Sequence, residues 1–193
     1  MSYHHKRTTQ EDMTLQFESC FESGNLFLAQ KISDLEYNCL MQNDINSKGH
    51  TQWFYFRVHN TRKGHSVKFN ILNYSKGDAM FNYGMKVAIY SEKKAESENI
   101  GWHRGGEDIS YFKNNVRKDY VNAKFFYTAT FTYTFEYDQD FVFFSYSYPY
   151  TMTDLRNDLE AIEADPVRSK YTSSSFLCKT LSGIDVPIVT ITS

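Results

Sequence analysis

The chain has 193 residues, of which 41% are hydrophobic, so it is long enough to bury the core of one domain. Its 21 basic and 23 acidic residues give a net charge of -2, which argues against nucleic acid as a partner because a phosphate backbone attracts a surplus of Lys and Arg. No apolar stretch approaches the roughly 18 residues that span a membrane, so we predict no membrane partner either.

The cysteines and the first residues bear on the compartment. Cys20, Cys39 and Cys178 are an odd number at wide spacing and include no Cys-x-x-Cys pair, so the sequence has no disulfide framework. We expect reduced thiols in a cytosolic or nuclear compartment, with Cys39 and Cys178 packed as small hydrophobic residues. Residues 1–12 lack the apolar segment of a signal peptide and are predicted to form a flexible tail.

The first predicted element contains the tripeptide Phe-Glu-Ser twice, in the segment "LQFESCFESGNL" at residues 15–26. On a helix, the four-residue spacing would place Glu18 and Glu22 side by side as an acid pair. The alternation of apolar residues instead predicts a strand through residue 22. On such a strand the two carboxylates lie roughly 13 Å apart, which is too far for a pair that acts on one bond. The Ser-Gly-Asn sequence at 23–25 supplies the turn that follows.

Most later segments alternate between apolar and polar residues with a period of two, as half-buried strands do. The clearest is "KFFYTATFTYTFE" at 124–136, which places Phe, Tyr and Ala on one face and mostly Thr on the other. Residues 35–41, 51–60 and 65–73 alternate similarly, whereas 140–148 begins apolar on both faces, as a central strand would. Polar turns separate these runs, and the 15 Tyr and 16 Phe favour β-structure. The pattern predicts an antiparallel sandwich or barrel.

One helix is predicted at residues 151–164, because apolar residues recur at i, i+4 and i+7 from Leu155 and Thr151 can cap the amino end. The Asp-Pro sequence at 165–166 ends it. The polar, charged segment at 91–99 is predicted to be a mobile loop. Beyond the helix, a polar linker leads to a second two-stranded pattern, "FLCKTL" followed by "VPIVTITS".

The sequence contains no complete catalytic motif. None of its six His is followed by Glu at the third position, and the G-x-S-x-G and phosphate-loop patterns are absent. His50, His59 and His65 could come together if two strands pair, although a hydrogen-bonded structural role is the commoner one for such residues. We therefore predict no catalytic, cofactor-binding or metal-binding residue in this chain.

Eight segments occur in a fixed order, and the ordered set is far more specific than any one of them. They are "FESGNL" (21–26), "EY" (36–37), "HTQWFYFRVHN" (50–60), "KFNILN" (68–73), "YGMKVAIYS" (83–91), "GWHRGGEDISYF" (101–112), "YSYPYTMTDL" (146–155) and "LCKTLSGIDVPIVTIT" (177–192). Together they resemble the amino-terminal region of the cytosolic carboxypeptidases, a branch of the carboxypeptidase A-like zinc peptidases. The resemblance covers residues 15–192.

The resemblance implies a non-catalytic domain joined in cis to a zinc carboxypeptidase domain that removes glutamates from protein tails, notably those of tubulin. It implies zinc in the full-length enzyme, a cytoplasmic location, and tubulin or other glutamate-tailed proteins as partners. The zinc ligands and the general base of the family lie beyond the segments matched here. The chain alone is therefore expected to hold no zinc and to be inactive.

The resemblance also fixes the expected organisation. The fold is then mainly β, an antiparallel β-sandwich with one short helix near 151–164, followed by a β-hairpin that begins the next domain. The expected segments are a flexible tail at 1–12, the sandwich domain at 13–166, and a linker with the first hairpin of the peptidase domain at 167–193.

Two roles for this domain stay open. In the first, the sandwich supports the fold of the peptidase domain and packs on it, with Trp53 as a core or interface anchor. In the second, Tyr148, Pro149 and Tyr150 form part of the rim of the catalytic cleft, because Pro149 fixes the chain between two Tyr. A competing class is a stand-alone β-sandwich that binds protein or carbohydrate, which predicts a row of solvent-facing rings on one sheet.

Overall fold

The computed structural model describes residues 9, 11–47, 49–117 and 125–192, so most of the tail predicted at 1–12 lies outside the described residues. The described part forms twelve strands and two α-helices, with short 3-10 helices at Met80–Tyr83 and Arg168–Lys170. Their bounds are β1 (Gln16–Glu18), β2 (Leu26–Ser33), β3 (Glu36–Met41), β4 (Tyr55–His59), β5 (Ser66–Tyr74), β6 (Val87–Ser91), α1 (Glu92–Glu98), β7 (His103–Gly105), β8 (Glu107–Arg117), β9 (Phe125–Thr134), β10 (Val142–Ser145), α2 (Met152–Ala164), β11 (Thr172–Lys179) and β12 (Asp185–Ile191).

The chain divides into two compact units. Unit 1 comprises residues 1–43 and 49–148, and unit 2 comprises residues 44–48 and 149–193. The strands of unit 1 form two five-stranded sheets: the first has the order β1-β4-β10-β6-β7 and the second the order β2-β3-β5-β9-β8. Neighbouring strands are antiparallel except β3 and β5, which run parallel. The prediction of a mainly antiparallel β-sandwich is confirmed.

The alternation read from the sequence is the alternation of burial in unit 1. Phe54, Phe56 and Val58 are fully buried, whereas Tyr55 and Arg57 between them are half-buried on the opposite face. The buried rings of the two sheets meet in the core. For example, the Phe69 ring lies 6.2 Å from Phe56 and 5.0 Å from Phe144 of the first sheet. Burying aromatic surface of this kind is the main stabilising contribution to such a fold.

The central strand is also as predicted. β10 pairs with β4 on one side and β6 on the other, so both of its edges are hydrogen-bonded. Val142 and Phe144 point into the core. Phe143 lies on the outer face, where it is only half-buried.

The prediction of a mobile loop at 91–99 is wrong, because these residues include helix α1. The Ser91 hydroxyl accepts the N–H of Lys94 at 3.0 Å and donates to buried Asp140 at 2.5 Å. Asp140 also accepts the backbone N–H of Lys93, and Asn99 ends the helix in the left-handed conformation. Since an N-cap contributes about 1 kcal/mol, caps at both ends can hold a short polar helix.

The expected strand through Glu22 is shorter than predicted, because β1 ends at Glu18. Residues 21–23 turn instead, with the Gly24 N–H donating to the Phe21 carbonyl at 3.0 Å and Ser23 at a φ of 64°. Glu18 is not one of an acid pair: its carboxylate accepts Arg57 of the neighbouring strand at 2.5 Å.

Unit 2 contains α2 and the hairpin of β11 and β12, as predicted. The first strand begins earlier than expected, because β11 includes residues 172–175, which were expected to be part of the linker. Thr151 and Asp154 form a capping box at the start of α2. Cys178 was expected to be packed but is exposed, because it lies on a two-stranded hairpin and no described residue of unit 2 covers its side chain. Cys39, in contrast, is fully buried. The domain boundary after residue 166 stays a prediction.

Candidate functional site

The segment "FESGNL" forms a turn that is tied to the start of β4. The Asn25 side chain donates to the Trp53 carbonyl and accepts the Tyr55 N–H, each at 2.9 Å, while its own backbone N–H donates to the Tyr55 carbonyl at 3.1 Å. The indole N–H of Trp53 donates to the Ser23 carbonyl at 2.8 Å. The motif thus orients Trp53 and Tyr55 and leaves both rings outside the core.

Gly24 is required by this turn. A Cβ at Gly24 would lie 2.3 Å from the carbonyl oxygen of Ser19 and 3.0 Å from that of Phe21. Both contacts are with backbone, so the turn could not form around a larger residue without moving. The glycine therefore serves close packing of the chain on itself.

The outer face of the first sheet carries a connected group of aromatic side chains, which we call the aromatic face. Its ring centroids form a chain of contacts: Trp53 lies 6.2 Å from Tyr55, Tyr55 lies 5.9 Å from Trp102, and Trp102 lies 6.4 Å from Tyr148. The members are Phe21, Trp53, Tyr55, Tyr90, Trp102, Phe143 and Tyr148. All are half-buried except Tyr148, which is 50% exposed.

The strand register builds this face. Tyr90 pairs with Phe143, which pairs with Arg57, so three large side chains form one row. In the next row Ser145 pairs with Ala88 and Tyr55. Ala88 and Ser145 are small, and both are fully buried although they lie on the outer face. The larger side chains around these two positions therefore cover them.

A groove of about 350 Å³ opens on the aromatic face. Its lining combines rings from three strands and the segment before β7 with two carboxylates of α1: Tyr55, Tyr90, Trp102, Phe143, Glu92 and Glu96. Burial raises the pKa of the Glu92 carboxyl, and nearby Asp140 and Glu96 raise it further, while Arg57 lowers it. The groove is therefore aromatic along one side and acidic along the other.

The structure brings together two of the four residues singled out from the sequence. Trp53 and Tyr148 both belong to the aromatic face. Pro149 and Tyr150 belong to unit 2, where the Tyr150 hydroxyl donates to Asp158 of α2 at 2.7 Å. That hydrogen bond raises the pKa of Tyr150, whose side chain is mostly exposed. Whether any of the four lies at a cleft rim stays a prediction.

The sequence reasoning missed most of the groove. It assigned Phe143 to a central strand and Tyr55 to an alternating strand, but it gave no site role to Tyr90, Trp102 or Glu92. One signal was present: Ser91 followed by Glu92 and Glu96 is an N-cap followed by acidic residues one turn apart.

The described residues contain no group of three His, Cys, Asp or Glu side chains placed to hold a metal ion. His59 packs its ring on Phe141, with 5.3 Å between centroids, and His103 Nδ1 lies 3.0 Å from the Gly101 carbonyl oxygen. Burial raises the pKa of the Cys39 thiol, so it is not an activated nucleophile. The residues present do not fit the zinc that the resemblance implies for the full-length enzyme, and we derive no step through a metal here.

The fold and the aromatic face together define the class of protein: a β-sandwich domain with an aromatic surface on one sheet. The family model of the cytosolic carboxypeptidase N-terminal domain matches residues 17–147, and unit 1 ends one residue later, at residue 148. The chain therefore belongs to the cytosolic carboxypeptidase family, of which it represents the N-terminal domain.

Curated relatives agree with this assignment. The chain is 43% identical over 182 residues to mouse cytosolic carboxypeptidase 3, covering 94% of this chain and 18% of the relative. It is 44% identical over 183 residues to human cytosolic carboxypeptidase 2, covering 95% of this chain and 20% of the relative. The chain thus spans about a fifth of the length of these relatives.

Solved structures share the fold. A metallo-carboxypeptidase from Burkholderia cenocepacia aligns with a TM-score of 0.62 at 17% identity, over 92% of this chain and 40% of that chain. A metallo-carboxypeptidase from Pseudomonas aeruginosa aligns with a TM-score of 0.56 at 17% identity, over 90% and 39%. Within the described residues, no helix has both the length and the apolar character needed to cross a membrane.

Proposed function

We propose that this chain is a non-catalytic domain that packs on the peptidase domain of a cytosolic zinc carboxypeptidase and supports its folding. The full-length enzyme would work in the cytoplasm and remove glutamates from protein tails such as those of tubulin. The family match supports the identity of the domain, and the names of the relatives support the location and the reaction class. Zinc would be held by residues of the peptidase domain.

The observation that carries the packing role is the hairpin of unit 2. Within the described residues, none of its apolar side chains is buried, and those on neighbouring positions of one strand point to opposite faces. Ile188 and Val189 are 36% and 37% exposed, and Phe176 and Leu177 are 58% and 61% exposed. A two-stranded hairpin is at best marginally stable in water, and exposed apolar faces mark surfaces that another element covers. Further elements of the peptidase domain would cover both faces of the hairpin.

Expressing the peptidase domain with and without this chain in front of it tests this role. The peptidase domain of a family enzyme should be insoluble or inactive when expressed alone and should become active when this chain precedes it. Replacing Ile188 and Val189 by Ser in the full-length protein should reduce the soluble, active fraction, while Ser at exposed Ile45 should not. A peptidase domain that is equally soluble and active without this chain would contradict the packing role.

Two activity measurements complete the test. The purified chain supplemented with zinc should release no glutamate from a polyglutamate-tailed peptide, and measurable release would overturn the non-catalytic assignment. In the full-length enzyme, Tyr150→Ala should impair protein-tail substrates more than small peptides if this residue lies at the cleft rim. Equal effects on both, in proportion to lost stability, would rule out the rim role.

A second candidate function is a stand-alone binding module for protein or carbohydrate. The aromatic face favours it, because this class predicts a row of solvent-facing rings on one sheet. The two functions differ in what they require: the module would bind its ligand with no peptidase domain present. Binding by the isolated chain therefore discriminates between a module and a purely structural domain.

A further inference from the structure

We propose that the groove on the aromatic face binds a lysine side chain of a partner polypeptide, with the ammonium group between the rings and the carboxylates of α1. This inference goes beyond the packing role and does not rest on it, because the groove lies entirely within unit 1.

The rings supply surfaces that attract a cation. The distances between ring centroids are 5.5 Å for Tyr90 and Trp102, 5.9 Å for Tyr55 and Trp102, and 6.0 Å for Tyr90 and Phe143. The four rings therefore form one continuous wall. Aromatic faces attract an ammonium group through the negative potential of the ring face, and Trp is the strongest of the three ring types. The rings also offer apolar contact to the four-carbon stem of a lysine, which an inorganic cation would not use.

The carboxylates supply the negative charge. Glu92 and Glu96 are one turn apart on α1, so both side chains lie on the same side of the helix. Neither forms an ion pair or a side-chain hydrogen bond with the other described residues. The lysines of the same helix are engaged elsewhere: Lys94 Nζ pairs with Glu136 at 2.7 Å, and Lys93 Nζ donates to the Asp138 carbonyl at 2.7 Å.

The cations nearby use the same chemistry without occupying the groove. The Arg57 guanidinium lies 4.8 Å from the centroid of Phe141 and 5.7 Å from that of Phe143, and it is paired with Glu18. The Arg104 guanidinium lies 5.3 Å from the centroid of Tyr148. Neither arginine lines the groove, whose lining contains two carboxylates and no cation. One ring of the groove, Phe143, therefore already lies near a cation. The charge of Arg57 acts on Glu92, but no cation of the described residues forms an ion pair with Glu92 or Glu96.

The dimensions and charge select the ligand. A volume of about 350 Å³ is at the small end of ligand pockets, so the groove accepts one extended side chain and not a folded element. An acidic tail would be repelled by the two carboxylates, and a neutral alkyl chain would leave them without a partner. Lysine suits an open groove because its compact ammonium group has three donors on a flexible stem.

The test is an NMR titration of the 193-residue chain with the peptide acetyl-Gly-Lys-Gly-amide. A matched peptide replaces lysine by norleucine, which keeps the four-carbon stem and removes the ammonium group with its charge. Trp53→Phe identifies the Trp102 indole N–H signal by leaving Trp102 as the sole Trp. We expect saturable shifts of the Trp102 and Phe143 signals with the lysine peptide, and binding at least about fivefold weaker with norleucine.

The variant Glu92→Gln/Glu96→Gln removes both charges at nearly constant shape and should weaken lysine binding by about fivefold or more. The control Glu160→Gln/Glu163→Gln removes two exposed carboxylates from α2 and should leave binding unchanged. Equal binding of the lysine and norleucine peptides, or no shift at Trp102 at high peptide concentration, would overturn the proposal. Both outcomes are read on the unmodified chain, so misfolding of a variant would leave the test decisive.

Discussion

The two units of the chain differ in how they hold themselves together. In unit 1, the apolar residues of two sheets face each other, and every residue of the hydrophobic core cluster lies there. In unit 2, no described residue is fully buried, and the hairpin leaves most of its apolar side chains exposed. Unit 1 therefore has a core that stabilises it. Unit 2 has apolar residues of the kind that form a core, but its described residues supply no second layer to pack against them.

Because of this difference, apolar residues have different roles in the two units. Apolar residues in unit 1 explain why the sandwich folds. Apolar residues on the hairpin do not stabilise it in isolation, so they indicate a surface meant for another element. The carboxypeptidase relatives, of which this chain spans only about a fifth, make the peptidase domain the natural candidate.

The largest expected effect is the loss of a ring from the centre of the sandwich. Phe69 is fully buried and has five aromatic neighbours: Phe17, Tyr37, Phe56, Phe131 and Phe144. Phe69→Ala should lower the free energy of unfolding by about 3–5 kcal/mol, measured by urea denaturation. Phe176→Ala is the matched change in unit 2 and should cost less than about 0.5 kcal/mol. Similar costs at both positions would contradict the comparison.

The next effect concerns the turn before β2. Gly24→Ala should destabilise unit 1 by about 2–4 kcal/mol, because the new methyl group would collide with the Ser19 carbonyl. Gly64→Ala is the control: its φ is +81° but nothing lies within 4 Å of the added Cβ, so it should cost only about 1–2 kcal/mol. If Gly64→Ala lowered the thermal unfolding temperature more than Gly24→Ala did, close packing would not be the role of Gly24.

A smaller effect is expected at the start of α2. Thr151→Ala removes the hydroxyl that accepts the Asp154 N–H at 3.2 Å and should cost about 1 kcal/mol of helix stability. Because α2 belongs to unit 2, the loss should appear as faster hydrogen exchange in residues 152–164 and leave β9 unchanged. Slower exchange in the helix, or a loss that spreads equally to β9, would argue against this separation of the units.

The smallest effect is a pH dependence confined to unit 2. Asp165 accepts the backbone N–H groups of Arg168 and Val167 and pairs with the Arg168 side chain, which lowers its pKa from 3.8 to about 2. A depressed carboxyl pKa contributes stability that is present above the unfolded value and lost as the pH falls through about 2. An NMR titration of the Asp165 carboxyl should show this low midpoint, and an ordinary midpoint near 3.8 would contradict the hydrogen bonding described.

Many strands of unit 1 could be predicted from the sequence, and the reason is physical. Where one face of a strand is buried and the other is not, a period of two appears in the residue types, as in β4, β5 and β9. The central strand β10 was identified because both its faces are apolar. The parallel pairing of β3 with β5 left no such trace, since local alternation does not record which strand lies beside which.

The errors have a common cause, which is contacts between residues distant in the sequence. Helix α1 depends on Asp140, which follows Ser91 by 49 positions, so its polar composition alone was misleading. The early end of β1 depends on the close approach of Gly24 to Ser19. The groove is assembled from rings on separate strands and from carboxylates of the helix that was missed. Trp53 and Tyr148 were chosen on separate grounds, and only the folded chain shows that they share a face.

Hydrogen exchange of the two units measures the central claim most directly. In the 193-residue chain, the amides of β9 should exchange only through global unfolding, whereas those of β11 and β12 should exchange within seconds to minutes. In a full-length family enzyme, the hairpin amides should become as protected as those of β9, because the peptidase domain covers them in the packing that we propose. A hairpin that is already fully protected in this chain, or that stays unprotected in the full-length enzyme, would contradict the account.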